Sequence, residues 1–219
     1  MHRIIVFLGP SLEKAAAEKI LPADYRLPAK RGDLLGAVRD GATIIGLIDG
    51  VFHQESAVAH REILAAIKHG VEVVGASSMG ALRAAEMDTL GMVGIGEIYR
   101  MYRSGELESD DEVALVFDPS SGLALSEPLI NIRFTLKRAR DEGIIDTRVH
   151  DALLASARSL FYPGRTYPAI LSAAGGTVDG KTQEAFLAWV TRGAVDRKQE
   201  DAVAALEYIS KIAGENPKD

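Results

Sequence analysis

The chain contains no cysteine among its 219 residues. Disulfide bonds, thiolate metal sites and cysteine nucleophiles are therefore excluded, and any chemistry falls to serine, other hydroxyl groups or carboxylates. Basic residues are also in deficit, with 25 Lys and Arg against 31 Asp and Glu and a formal net charge of −6. This balance argues against a general nucleic-acid binder, which shows a basic face, although local basic patches are compatible with it.

Long apolar runs are absent as well. No stretch approaches the roughly 20 apolar residues that span a bilayer, and the start MHRIIVFLGPSL has neither a long apolar run nor a small-residue cleavage site. We therefore expect a cytoplasmic protein. Its 47% hydrophobic content suffices for one sizeable core, or for a main domain with a helical appendage.

The most informative stretch runs from Val71 to Met87 and reads VEVVGASSMGALRAAEM. Its valines suit a buried strand, Gly75 permits a sharp exit, and the second half is strong helix-forming sequence. Ser77 and Ser78 are therefore predicted at a helix start, where unpaired N–H groups and the helix dipole stabilise an anion or a developing oxyanion. A serine placed there is a candidate nucleophile.

The same pattern has a structural interpretation, because serine is a preferred N-cap residue and Gly80 permits close packing of the helix on the sheet. The order of residues is not the Gly-x-Ser-x-Gly elbow of α/β hydrolases. It resembles the Ala-Ser-Met-Gly run around the nucleophile of ClpP-type serine proteases, which places Ser78 in the attacking position. Both interpretations, capping and catalysis, stay open on the local pattern.

Apolar strands alternate with helices along the first half of the chain, as at residues 3–8, 43–48 and 71–74. This alternation predicts an α/β fold with a small, mostly parallel sheet of about four strands and flanking helices. Ligands of such sheets bind at the carboxyl ends of the strands. The predicted site therefore comprises four loops: Gly9-Pro10-Ser11, Lys30 to Asp33, Asp49-Gly50 and Gly75 to Gly80.

A helical C-terminal part follows, with apolar residues at three- and four-residue spacing in 131–141, 151–160, 181–192 and 197–212. We predict an α/β domain over 1–128, which carries the turn at Ser77 and Ser78 (the serine turn), and a helical region over 129–219 packed on it. Between the two, the dense glycines of 91–96 predict no regular structure, and 113–117 predicts a short strand.

Several linked motifs resemble those of the TfuA-like proteins, most densely over about the first 140 residues. They are Gly9-Pro10-Ser11-Leu12, Arg31-Gly32-Asp33, Ile48-Asp49-Gly50-Val51-Phe52, His60-Arg61-Glu62-Ile63-Leu64, the run from Gly75 to Glu86, Gly91-Met92, Asp110-Asp111-Glu112-Val113, Leu125-Ser126-Glu127-Pro128 and Asn131-Ile132-Arg133. One departure is Arg61, where the family pattern has lysine; arginine stays charged and cannot act as a base.

The resemblance implies a partner of a YcaO-type enzyme that converts a peptide backbone amide to a thioamide. It also implies hydrolysis of the thiocarboxylated C-terminus of a ThiS-like sulfur-carrier protein, which liberates sulfide for YcaO. A Ser–Lys pair is expected in such a hydrolase. Because a thiocarboxylate is an activated acyl group, serine attack and loss of sulfide need no metal and no redox cofactor.

Ser78 is the expected nucleophile, with Ser77 as the alternative, and Lys30 is the preferred base because its predicted loop lies beside the serine turn. Lys198 is the second choice. His60 and Glu62 receive a supporting or partner-facing role. The expected substrate-binding residues are Gly9, Pro10, Ser11, Asp49, Gly50, Gly75, Met79 and Gly80. We expect the glycines at this edge to let an extended Gly-Gly carrier tail approach the serine closely.

Two other classes of function compete with this one. The first is a non-catalytic adaptor that presents sulfur carrier and peptide to YcaO, with the serines only capping a helix. The second is a phosphate- or nucleotide-binding domain that uses the same helix start for an anion. The second lacks a Walker lysine motif and an acidic ribose partner, so it ranks last.

Overall fold

The computed structural model of the protein describes residues 2–52, 56–118 and 123–214. The chain consists of two compact units. The sheet unit comprises 1–110 and 198–219, and the helical unit comprises 111–197. In this division the last helix belongs to the sheet unit, because its apolar side chains pack on the sheet.

Within the described part of the sheet unit, five strands form one parallel sheet in the order β2-β1-β3-β4-β5. They are β1 (Ile4–Phe7), β2 (Asp24–Arg26), β3 (Ile44–Leu47), β4 (Glu72–Ala76) and β5 (Val93–Ile95). The predicted α/β class is confirmed, with one strand more than the four expected.

The α-helices of the described residues follow in chain order. They are α1 (Lys14–Ile20), α2 (Asp33–Arg39), α3 (His60–Lys68), α4 (Met79–Met87), α5 (Glu97–Ser104), α6 (Leu129–Asp141), α7 (Thr147–Ser159), α8 (Tyr167–Ala174), α9 (Gly180–Gly193) and α10 (Arg197–Gly214). None of them is both long and apolar enough to cross a membrane.

Helices cover both faces of the sheet, which explains why its strands read as continuous apolar runs rather than as alternating ones. Ile5, Ile45 and Val73 face a core that includes residues of α2, α3 and α4. Their neighbours along the strands, such as Val6 and Val74, face a second core that includes residues of α1 and α10. Both cores are closed by helices from within the sheet unit.

Helix α4 approaches the end of β3 unusually closely, and Gly80 makes this approach feasible. The Gly80 N–H donates to the Ile48 carbonyl at 3.3 Å, and a Cβ atom at Gly80 would collide with the Leu47 carbonyl oxygen. Gly75 has a related role, because a Cβ there would collide with the Gly80 carbonyl oxygen. The two glycines therefore fix the path of the chain through the serine turn.

The helical unit has its own apolar core, formed by residues of α6, α7, α8 and α9. Arg165 is buried in this unit, with 1% of its surface exposed. Its guanidinium donates to the carbonyls of Ala157 and Leu160 at 3.1 Å and pairs with the Asp111 carboxylate. These hydrogen bonds satisfy a charge that would otherwise be costly to bury.

Three local predictions differ from the structure. The glycine-rich stretch contains β5, because Gly94 lies against the Tyr99 ring, where a side chain would collide. The predicted strand at 113–117 reduces to an isolated bridge between Phe117 and Ala124. Helix α8, begun by the Thr166 side chain accepting from the Ala169 N–H, was not predicted.

We expect Gly80→Ala to destabilise the protein strongly, because the new Cβ meets backbone atoms of β3 that cannot rotate away. Thermal unfolding measures the effect. Gly36→Ala, also inside a helix but nearly 4 Å from its closest side-chain atom, is the matched control and should gain up to about 1 kcal/mol. Equal melting temperatures for the two variants would contradict the close-packing role of Gly80.

Glu127 of the helical unit should make stability depend on pH. Burial, and next the charge of Asp196, raise the pKa of this carboxyl above its usual range. Its contribution to stability is thus fully present below the unfolded-state pKa and is lost as pH rises through the higher folded-state pKa. The melting temperature of Glu127→Gln, minus that of the wild type, should therefore increase from pH 4 to pH 7.

The exposed Glu184 of the same unit provides the control for this measurement. Glu184→Gln should give a difference from the wild type that changes little over the same pH range. A flat difference for Glu127→Gln would show that the buried carboxyl does not influence folding.

Candidate functional site

The serine turn joins β4 directly to α4 at the carboxyl edge of the sheet. Ser77 has a φ of 67°, and it is the described non-glycine residue with a positive φ. The Ser78 N–H donates to the Ala76 carbonyl at 2.8 Å across it. A bond between residues two apart around a positive φ defines a γ-turn of the rare, strained kind. Strain of this type costs about 1–3 kcal/mol and concentrates at functional sites.

The two serine side chains do not behave as helix caps. Ser77 is fully buried, and its hydroxyl has no hydrogen-bond partner among the described residues. Ser78 is the N-cap residue of α4, yet its side chain makes no capping hydrogen bond. The structure thus brings both predicted serines to the sheet edge and provides no capping bond from either hydroxyl.

Asp49 is the centre of a buried polar cluster at the same edge, one strand away from the serine turn. Its side chain accepts from the N–H groups of Gly9 and Ser11 at 2.9 and 3.1 Å, and from the Ser11 hydroxyl at 2.7 Å. The Lys198 ammonium lies 4.0 Å from it, and both side chains are 3% exposed. Asp49 therefore joins the loop after β1, the end of β3 and the start of α10.

The two candidate lysines have different surroundings. Lys30 is exposed, and its backbone groups exchange hydrogen bonds with Asp33. Lys198, the second choice of the sequence analysis, is the lysine buried beside Asp49. A signal for it exists in the sequence, since Lys198 and Asp201 lie three residues apart on the otherwise apolar face of α10 that packs on the sheet.

Asp201 fixes the start of α10 relative to α5. Its carboxylate accepts from the N–H groups of Glu97 and Ile98 at 3.0 and 2.8 Å. Gly96, with a φ of 98°, lies so close to this carboxylate that a Cβ would collide with it. Sequence reasoning missed this contact, because it joins residues about 100 positions apart.

The supporting roles given to His60 and Glu62 have a structural basis. Glu62 is buried and accepts from the Gly32 N–H at 2.7 Å, so it holds the loop of residues 30–33. His60 Nε2 lies 2.7 Å from the Glu86 carboxylate, which also accepts from Arg83 at 2.6 Å. This second group lies on the surface of α3 and α4.

The glycines expected to admit a substrate tail were Gly9, Gly32, Gly50, Gly75 and Gly80. Gly32 has open space beside it, whereas the space beside the other four is filled by the protein's own atoms. A Cβ at Gly9 would collide with Pro28, and a Cβ at Gly50 would lie 3.0 Å from the Met79 side chain. The space beside Gly75 and Gly80 is occupied by backbone atoms, because α4 packs closely on the sheet. Pro10 and Ser11 continue the loop from Gly9, and the Ser11 side chain is committed to Asp49.

A cleft of about 580 Å³ adjoins the serine turn within the sheet unit. Met79 and Leu82 of α4 line it, together with Phe52, which follows Asp49 and Gly50 in the chain. Across 2–52, 56–118 and 123–214, no group of three or more His, Asp or Glu side chains is arranged to hold a metal ion.

We expect Asp49→Ala to destabilise the protein by about 3–5 kcal/mol, because it removes the acceptor of three hydrogen bonds and a carboxylate that lies 4.0 Å from the buried Lys198 ammonium. Chemical denaturation measures the loss. The double variant Asp49→Ala with Lys198→Met should lose clearly less than the sum of the single variants, since the ammonium is removed together with the carboxylate that faces it. Strictly additive losses would show that the two residues do not interact.

Comparison with known proteins bears on the same segments. The chain has no significant match among curated proteins. A family model described as TfuA-like protein matches residues 49–166, which include Asp49, the serine turn and the cleft residues Phe52, Met79 and Leu82. The matched segment covers more than half of the chain, and it includes most of the motifs that carry the resemblance, although those at 9–12 and 31–33 precede it. The protein therefore belongs to the TfuA-like family.

Proposed function

We propose that the protein is a serine hydrolase that cleaves the thiocarboxylated C-terminus of a ThiS-like sulfur-carrier protein and so supplies sulfide to a YcaO-type enzyme for peptide thioamidation. The observation that carries the proposal is the state of Ser77, whose buried hydroxyl is unpaired among the described residues and whose backbone is strained. The proposed substrate and partner rest on the family resemblance, and the proposed chemistry rests on the geometry of the serine turn.

Two separate costs are concentrated at Ser77. A buried hydroxyl without a partner costs about 1–3 kcal/mol, in addition to the backbone strain of the γ-turn. A serine retained only for structure would donate a capping or bridging hydrogen bond, and this one makes none to the described residues. Catalysis explains both costs, because α/β hydrolases carry their nucleophile on a strained strand-to-helix turn and attack requires a hydroxyl that no other protein group engages. We therefore assign the attack to Ser77 rather than to Ser78.

The proposed reaction has two steps. The Ser77 hydroxyl oxygen forms a bond to the thiocarboxylate carbon, the C–S bond breaks, and the serine proton leaves with sulfur as hydrosulfide. Water then attacks the acyl-serine ester, so that the carrier leaves with an ordinary carboxylate and the serine hydroxyl is restored. The atoms balance without an oxidant, a reductant or a metal.

Backbone amides at the start of α4 provide the oxyanion site. The N–H groups of Ser78, Gly80 and Ala81 already donate to the carbonyls of Ala76, Ile48 and Ser78. We therefore assign the oxyanion to the Met79 N–H, at the positive end of the helix dipole. A donor of this kind contributes about 2.7–4 kcal/mol to transition-state stabilisation in hydrolases.

Lys198 is the lysine best placed to carry the serine proton to the leaving sulfur. It is buried at the sheet edge beside Asp49, which follows β3, the strand next to β4. Lys30, in contrast, is exposed. In its neutral form Lys198 accepts the proton, and in its charged form it attracts the anionic thiocarboxylate. The Asp49 side chain fixes its position.

The adaptor function is supported by one observation, which is the burial of both serines. Ser77 and Ser78 are 0% and 3% exposed, so neither presents its hydroxyl on the surface. An adaptor would bring carrier and peptide to YcaO without acyl transfer. The two functions predict different results for the variants below.

Ser77→Ala should abolish sulfide release from the thiocarboxylated carrier while leaving the melting temperature equal to or above that of the wild type, because it removes an unpaired buried hydroxyl. Ser77→Gly should be equally inactive but more stable than Ser77→Ala by about 1 kcal/mol, since glycine accepts the positive φ without strain. Sulfide release by purified protein and thermal unfolding are the measurements.

Ser78→Ala is the matched control, because Ser78 lies one position further along the same turn. It should retain measurable sulfide release, and mass spectrometry of the wild type should find the acyl group on Ser77. An inactive Ser78→Ala together with an active Ser77→Ala would move the nucleophile to Ser78. If both variants support thioamidation by YcaO as well as the wild type does, the adaptor function is correct.

Added sulfide separates the two functions further. If the protein supplies sulfide, thioamidation by YcaO in the presence of Ser77→Ala should recover when inorganic sulfide is added.

A further inference from the structure

The cleft beside the serine turn borders both segments of the proposed acyl-transfer site. Met79, which directly follows Ser78, and Leu82, one turn later on α4, line it. Phe52, three residues after Asp49, lines it as well. In contrast, the space beside Gly9, Gly50, Gly75 and Gly80 is occupied by protein atoms. A substrate that reaches the serine turn therefore has room in the cleft and none along the glycines.

We propose that this cleft binds the last residues of a protein substrate in extended form, with the reactive carboxyl-terminal group at the Met79 end. The proposal rests on the proposed hydrolase function, and it adds the route and the chemical class of the bound segment. The volume of about 580 Å³ lies within the range of about 300–1,000 Å³ for sites of small ligands. A short peptide tail fits such a space, and a folded domain does not.

The lining of the cleft suits a peptide backbone. Phe52, Val58, Met79 and Leu82 provide apolar surface, and Ala57 and Ala59 add little bulk. Polar side chains, among them Arg31, Arg83 and Glu86, make up more than half of the lining and provide hydrogen-bond donors and acceptors for a peptide backbone.

The polar groups of the cleft are already held in place. The Arg83 Nε donates to the Val58 carbonyl at 3.0 Å, and its NH1 donates to the Glu86 carboxylate at 2.6 Å. The same carboxylate oxygen lies 2.7 Å from His60 Nε2. Because these side chains are ordered before a ligand arrives, little conformational entropy is lost from them on binding.

Charge sets the direction of the bound tail. Arg31, Glu108 and Asp110 are exposed and line the cleft, so the two carboxylates repel and Arg31 attracts the negative end of a thiocarboxylated or carboxylated chain. Residues upstream of the end therefore lie along Glu108 and Asp110, and lysine or arginine is favoured there. The anionic end lies at Met79, next to the serine turn.

The test compares the same substitution at two leucines. Leu82→Trp fills the cleft, whereas Leu90→Trp alters a leucine that is 51% exposed and does not line it. Two quantities are measured: kcat/KM for sulfide release from the thiocarboxylated carrier, and the Kd of a synthetic peptide matching the last eight residues of the carrier, with an ordinary carboxylate end. We expect Leu82→Trp to worsen both by at least tenfold and Leu90→Trp to leave both unchanged.

The outcomes separate this inference from the hydrolase proposal. Sulfide release and peptide binding by Leu82→Trp at wild-type levels would overturn the cleft assignment and leave the hydrolase intact. If the wild type releases no sulfide but binds the peptide, and Leu82→Trp does not bind it, the cleft assignment stands and the hydrolase fails. If the wild type does not bind the peptide, the cleft assignment is overturned.

A second variant guards against a folding defect in Leu82→Trp. Glu108→Lys with Asp110→Lys changes only exposed side chains. It should weaken binding of a peptide that carries lysine upstream of its end and strengthen binding of the same peptide with aspartate there. Unchanged affinity for both peptides would overturn the proposed direction of the tail and its place in the cleft.

Discussion

The contact between Gly80 of α4 and the end of β3 is the constraint on which the candidate site depends. The Gly80 N–H donates to the Ile48 carbonyl, and no side chain fits between the helix and the Leu47 carbonyl oxygen. Since the helix begins so close to the strand, the chain has only Ser77 and Ser78 with which to turn from β4 into α4. The positive φ of Ser77 is a consequence of this short connection.

The buried polar cluster at Asp49 gives the same edge its charge. A carboxylate with 2% of its residue surface exposed is costly unless it is paired, and Asp49 accepts three hydrogen bonds and faces Lys198. The cluster requires the first strand, the third strand and the last helix to be in place together. Asp201 adds a second requirement of this kind, because it caps α5 from the first turn of α10.

These features exchange stability for function in the proposed hydrolase. The strained γ-turn, the unpaired Ser77 hydroxyl and the buried ion pair each cost free energy that a purely structural edge would avoid. Proteins retain such costs where activity requires a preorganised site. The strained turn follows β4 and the ion pair follows the neighbouring strand β3. The apolar cores on both faces of the sheet stabilise these two strands and so offset the free energy lost at their ends.

Several features of the protein were determined by the sequence alone. The alternation of apolar strands with helices predicted the parallel α/β sheet, and linked motifs around Asp49 and the serine turn predicted the TfuA-like family. Local signals suffice for these, because strand and helix patterns repeat over short distances and parallel strands bring their carboxyl ends to one edge. The serine turn, Asp49 and Ser11 were placed at that edge on this basis.

Only the tertiary structure decided which lysine lies in the site, which serine carries the strain and where the glycines leave room. Lys198 reaches Asp49 from almost 150 residues away, and its place on the apolar face of α10 indicates burial but does not identify Asp49 as its neighbour. Gly94 lies in β5 against the Tyr99 ring, and Gly9, Gly50, Gly75 and Gly80 are packing positions, whereas Gly32 has open space beside it. Contacts between distant segments set burial, strain and pairing, and a single sequence does not display those contacts in its local patterns.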